Sequence, residues 1–355
     1  MSSTMKAAVY HGTRDIRIEQ VPIPHPRDGE VVIAVRRSGI CGTDATEWTA
    51  GPVMVPVHHR HPASGHLGPM IPGHEFVGEV VDGSAELPAG TLVAAGAGVW
   101  CGRCDRCAEG RTNICRNYYT LGLNAPGGLA EYVAAPARML RTVPAGLPLD
   151  AAAMAQPLAV GLHAARRAGA RHGDSVVIIG AGAIGTFTLA GLSHLIHVDI
   201  TVVDLPGPKL DRAAKLGAAR TLSAHDDVVA AVLELTGGRG ADVVIEASGA
   251  PGQFETALRM VTTGGRVLAV GLPKDKPAVD MFSLALREVT IDSTVAHVCD
   301  DDLGVALDIL AEGILGPLLL DSVISLDDLV TRGLEPLAAS RVDGKILVAP
   351  THRNW

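Results

Sequence analysis

Ser175-Val176-Val177-Ile178-Ile179-Gly180-Ala181-Gly182-Ala183-Ile184-Gly185 is the stretch that decides the fold. Four β-branched residues in a row suit a buried strand. The glycines that follow make a G-x-G-x-x-G pattern, weak evidence alone and strong only between a strand and a helix. Both neighbours are expected here, and the next strand, over 200–203, ends in Asp204. Gly180, Gly182, Ala183, Ile184 and Gly185 are therefore expected to wrap a pyrophosphate at a helix N-terminus, with Asp204 accepting from ribose hydroxyls. An Asp204 carboxylate repels a 2′-phosphate, and Leu205-Pro206-Gly207-Pro208 supplies no arginine, although Lys209 is near. NAD is expected, NADP less so.

Working outward, strands and helices alternate from 173 to about 293, as a doubly wound parallel sheet requires. Ala241–Glu246 runs into Ala247-Ser248-Gly249, and a strand over 265–270 runs into Gly271. The carboxyl ends of such strands line the cofactor crevice, so Ser248, Val270 and Gly271 join the expected dinucleotide residues. A last strand is expected over 289–291. Residues 150–170 are helix-forming, interrupted by Gln156-Pro157, where proline marks a break or a first turn.

The N-terminal part reads differently. Two short strands are expected over 6–10 and 30–35, then 76–81, 91–95, 128–133 and 140–143. Ser38-Gly39-Ile40-Cys41-Gly42-Thr43-Asp44 and Gly73-His74-Glu75 place a thiol, an imidazole and a carboxyl in the chain. These are the ligand types of a catalytic zinc, which takes three protein ligands and keeps one position open. A buried cysteine and a core histidine would read the same way.

Cys101, Cys104, Cys107 and Cys115 crowd into fifteen positions. Such spacing suits a closed, structural zinc site, and four thiolates can also hold an iron–sulfur cluster. His58, His59, His61 and His66 lie in a loop with five prolines over 51–72, whose spacing specifies no metal.

With 355 residues, 47% hydrophobic and 19% charged, the chain has the composition of a soluble protein of two domains. A formal net charge of −8 opposes nucleic acid or an anionic membrane as partner. No signal-like or membrane-length apolar run is seen, and clustered cysteines favour a reducing compartment. The cytoplasm is the expected location.

Together the Cys41 motif, Gly73-His74-Glu75, the cysteine cluster and the glycine fingerprint resemble the medium-chain zinc-dependent alcohol dehydrogenases, within them the polyol, 2,3-butanediol and threonine branch. Gln156-Pro157-Leu158-Ala159-Val160 and the Pro62-Ala63-Ser64-Gly65 loop add to the likeness. The resemblance implies an α/β architecture: a GroES-like catalytic domain over 1–157 with a zinc lobe at about 96–118, a Rossmann NAD domain over 158–293, and a return segment over 294–355. It implies a catalytic zinc on Cys41, His74 and Glu75, a structural zinc on the four cysteines, and oxidation of a secondary alcohol to a ketone. Thr43 resembles the family's relay hydroxyl. A bound hydroxyl's pKa would fall from roughly 16 to about 7, as for zinc-bound water.

Two positions depart from the branch. Many relatives carry Glu where this chain has Gln156, near the metal, and often His where it has Thr46. Glu47 and Trp48 are expected on the wall of the substrate cleft. A homo-oligomer is expected, a tetramer before a dimer.

Overall fold

The computed structural model describes residues 3–273 and 276–351. They form two compact units, Met1–Gln156 with Val298–Trp355, and Pro157–His297.

The unit Pro157–His297 is built on six strands, all paired in parallel. Their spatial order is Arg220–Ser223, Asp199–Asp204, Ser175–Ile179, Ala241–Glu246, Val261–Ala269 and Thr290–Ser293. The chain runs outward to one edge from Ser175–Ile179, then returns and runs to the other edge from Ala241–Glu246. That reversal is the topological switch point at which open α/β sheets bind ligands. Side chains alternate across each strand. Val176, Ile178, Val202 and Ile245 enter one buried cluster with Leu189 and Leu192. Val177, Ile179, Val203 and Val244 enter another with Val228 and Ala257. Burial on both faces explains the unbroken apolar run in the sequence.

In the other unit a sheet of seven strands carries the order Leu320–Ser325, Lys345–Ala349, Glu30–Gly39, Glu75–Asp82, Leu92–Ala95 and Leu140–Thr142, with Tyr132–Pro136 also paired to Glu30–Gly39. Two strands were expected before residue 36, and there are three. Asp15–Pro22 returns antiparallel on Thr4–Gly12. None of its residues is fully buried, so it lacks the apolar run that betrays a core strand. Residues 150–170 resolve into two helices, Leu149–Ala152 and Ala155–Ala168, with Pro157 in the first turn of the second.

Register within this sheet prepares the site. Gly39 pairs with Glu75. Cys41, two residues past Gly39, and His74, one before Glu75, therefore emerge at the same end of adjacent strands.

The fingerprint glycines divide their work as the motif requires. Gly180 has φ +102°, and a Cβ built on Gly185 would stand 1.7 Å from the Gly180 carbonyl oxygen. Gly185→Ala should therefore destabilise the protein by about 1–3 kcal/mol, the scale of core overpacking, read as a lowered thermal midpoint.

Candidate functional site

Cys41 caps the helix Gly42–Ala50. Its sulfur accepts from the Thr43 N–H at 3.3 Å, and its own N–H donates to Asp44 Oδ2 at 2.9 Å. This reciprocal cap fixes the thiol's direction. His74 Nε2 lies 3.1 Å from Cys41 Sγ. On the far side of the ring, Nδ1 lies 3.7 Å from Asp44 Oδ1. Both of those atoms are buried without a hydrogen-bond partner.

Cys41, Asp44 and His74 bring one ligand atom each within 4.8 Å of one another. Burial disfavours a charged imidazole, but the Cys41 sulfur and the Asp44 carboxylate outweigh it and hold the His74 pKa up to about 10. Burial also raises Asp44, against the pull of His74. A cysteine sulfur and a carboxyl thus flank a buried imidazole, a donor set that suits a cation. A soft sulfur with an imidazole nitrogen suits zinc, and a carboxylate behind the ring is the usual outer partner of a ligating histidine.

The other cysteines converge. Cys101, Cys104, Cys107 and Cys115 place their sulfurs within 4.8 Å of one another. Cys104 Sγ lies 3.6 Å from Cys107 Sγ and 3.8 Å from Cys115 Sγ. Four sulfurs about 2.3 Å from one ion stand about 3.8 Å apart at tetrahedral corners. Backbone N–H groups of Cys101 and Asn117 donate to Cys115 Sγ at 3.2 and 3.3 Å. The Arg103 N–H brings the Cys101 thiol down to about 6, whereas burial, then neighbouring thiols, push Cys107 up to about 12. The four fit a structural zinc.

At the glycine turn, Gly182 caps the helix Ala183–Leu195, and a Cβ built on it meets nothing within 4 Å. Open space before a helix N-terminus fits a pyrophosphate. Asp204 closes its strand with Oδ2 accepting from the Ala181 N–H at 2.5 Å and Oδ1 from the Leu205 N–H at 2.7 Å. Lys209 is half-buried in the first turn of Pro208–Lys215. A Cβ on Gly180 would stand 2.8 Å from the Ser248 nitrogen, which brings Ser248 against the turn. The Val270 and Gly271 N–H groups both donate to the Glu246 carbonyl at 2.8 Å.

Comparison with known proteins agrees with this geometry. Residues 27–145 match the alcohol dehydrogenase GroES-like domain, and residues 183–312 match the zinc-binding dehydrogenase family. The (R,R)-butanediol dehydrogenase of Bacillus subtilis strain 168 is 32% identical over 352 residues, covering 98% of this chain and 100% of that one. The chain belongs to the medium-chain zinc-type alcohol dehydrogenases. The sorbitol dehydrogenase of the same bacterium is 35% identical over 274 residues, 76% of this chain and 75% of that one. The crystal structure of 2R,3R-butanediol dehydrogenase from Bacillus subtilis superposes with a TM-score of 0.89 at 31% identity, covering 98% of this chain and 100% of that one.

Within this zinc-type dehydrogenase, the structure does not bring every expected site residue together. Glu75, expected as the third ligand, turns its carboxylate to the Lys345 ammonium, and both side chains are 2% exposed. A Cβ on Gly39 would collide with that carboxylate, which lies over the neighbouring strand. Lys345 Nζ also donates to the Ile40 carbonyl at 3.0 Å. Asp44 accepts from the Cys41 N–H and also faces His74. Nothing local in the sequence marks Lys345 for burial. Gln156 is buried at the start of the helix Ala155–Ala168, and Thr43 is half-buried beside Cys41.

Glu47 and Trp48, expected on a cleft wall, are instead internal. Trp48 joins a core with Ile40, Leu129 and Leu329, and Glu47 accepts from the N–H groups of Val53 and Met54. Helical spacing of three and four residues puts both on the face of Asp44, which is buried as well.

Cys104→Ser should lower the zinc content per chain by elemental analysis and expose residues 96–118 to protease. In the metal-free protein His74 keeps its proton up to about pH 10, so metal must displace it. Zinc affinity at this site should therefore rise with pH across the neutral range and fall as pH drops, as competition against a fluorescent chelator would show.

Proposed function

We propose that the chain oxidises a secondary alcohol of vicinal diol, polyol or cyclitol type to a ketone, with NAD as hydride acceptor. The observation that carries the reading is the buried Cys41–His74–Asp44 arrangement, in a chain whose other unit ends a strand at Asp204. When bound, zinc supplies Lewis acidity toward the substrate oxygen, and the dinucleotide supplies the acceptor carbon.

The residues do the rest. Cys41 and His74 would hold the metal, and Glu75, whose carboxylate is paired with Lys345 here, would be the third ligand. Asp44 keeps the imidazole oriented. Thr43, its N–H anchored on Cys41, offers a hydroxyl for proton relay. Neutral Gln156 adds no charge, so one thiolate and one carboxylate balance the ion's two positive charges. Gly180, Gly182, Ala183, Ile184 and Gly185 receive the pyrophosphate. Asp204 favours NAD over NADP, because a carboxylate already tied to the turn cannot move from a 2′-phosphate. Lys209, Ser248, Val270 and Gly271 flank the dinucleotide.

Assembly belongs to the same proposal. Thr290–Ser293 is an edge strand, and Met281, Phe282 and Leu286 near it are 67%, 76% and 71% exposed. An open edge beside apolar side chains favours a homo-oligomer, and a tetramer is favoured over a dimer. No helix among the described residues is long and apolar enough to cross a membrane. The cytoplasm is the proposed location.

Purified zinc-loaded protein should form NADH with at least one vicinal diol, polyol or cyclitol, slowly or not at all with NADP, and should lose activity to a chelator. Threonine belongs on the same panel as the competing substrate. Thr43→Val should lower kcat by about 10²-fold, the scale of a lost acid–base group, while NADH affinity measured by fluorescence is retained. Unchanged kcat would remove Thr43 from the relay.

A further inference from the structure

Glu246 carries a buried carboxylate that none of the roles above uses. It ends the strand Ala241–Glu246 and is 2% exposed. Its Oε1 accepts from the Ser248 N–H at 2.8 Å, the Ser248 hydroxyl at 2.5 Å and the Gly249 N–H at 3.0 Å. A Cβ on Gly271 would stand 2.6 Å from its Oε2. Through Ser248 the same carboxylate backs Gly180, and through its carbonyl the residue holds Val270 and Gly271. Three rims of the dinucleotide face close on one residue, two of them through its side chain and the 270–271 rim through its main-chain carbonyl.

All of these donors are neutral. They satisfy the oxygens without cancelling the charge, and charge in a poorly solvated interior acts over a longer range than at the surface. Placement tells where it acts. A doubly wound sheet binds a dinucleotide across two mononucleotide halves, and the acid after the second strand, here Asp204, marks the adenosine half. Ala241–Glu246 begins the other half, which leaves the nicotinamide. That ring is the one part of NAD whose charge changes in the reaction, positive when oxidised and neutral when reduced.

We propose that Glu246 is a positioning residue that staples the 247–249 and 270–271 rims and, by its fixed charge, makes this pocket prefer NAD+ to NADH. Such a preference fills the site with NAD+ in competition with NADH and, by the same linkage, stabilises the bound oxidised form against reduction. The inference rests on the dinucleotide reading above and names what that reading leaves open, the favoured redox form.

The test uses full-length, zinc-loaded protein and calorimetric dissociation constants for NAD+, NADH and ADP-ribose, which lacks the nicotinamide. In Glu246→Gln the NAD+ constant should weaken relative to NADH by about tenfold, the scale of one unit charge acting through protein over roughly 10 Å. ADP-ribose should bind as before. Glu246→Asp, which keeps the charge, should restore the wild-type ratio, and Glu246→Ser offers a second neutral variant should Gln fold poorly. An unchanged NAD+ to NADH ratio with ADP-ribose binding intact would overturn the proposal. So would parallel loss of all three ligands in both neutral variants, which would make Glu246 a staple and nothing more. Failure of the wild-type protein to bind any of the three would instead overturn the dinucleotide reading itself.

Discussion

The pairing of Gly39 with Glu75 across two central strands is the constraint on which the metal site depends. It brings Cys41 and His74 to one strand end, and the helix cap at Cys41 turns Asp44 onto the back of the imidazole. The half-buried Cys41 and the buried Asp44 and Glu75 then lie close around His74. Buried charges persist when they are paired, bound to a metal or held by several hydrogen bonds. Lys345 answers one of them from the last strand, whose residue Leu347 pairs with Gly39. The remaining negative charge gathers around His74, and the same electrostatics that hold a proton there prepare the site for a dication.

Carboxylates also organise the other unit, in a different manner. Asp204 and Glu246 each end a strand and accept N–H groups of the loop that follows. The side chain takes over as acceptor where the sheet ladder stops, so each loop is held at the sheet's carboxyl edge. In the role proposed for it, Asp204 meets a ribose from the second strand of that unit. Glu246 is proposed to act on the opposite half by its charge.

Much of this was legible in the sequence because the signals were local. The strand Ser175–Ile179, the glycines after it and Asp204 lie close together in the chain, and each residue type answers a backbone need. The four cysteines are equally local. Asp15–Pro22 escaped because a strand with no fully buried residue carries little hydrophobic pattern. The histidine loop did not reveal its purpose either. His61 Nδ1 accepts from the Ser64 N–H, and His66 Nε2 lies 3.2 Å from the carbonyls of Gly68 and Pro69. Those rings shape turns, which residue type alone does not tell.

The sequence by itself determined the α/β class, the family, the two cysteine-bearing sites and the dinucleotide fingerprint, since each rests on spacing along the chain. Tertiary structure decided the state of Glu75, the burial of Lys345, the second task of Asp44 and the place of Glu246. The reason is physical. Whether a carboxylate faces a metal, a lysine or a backbone amide depends on what packs against it, and in this protein the partner of Glu75 lies 270 residues further along the chain.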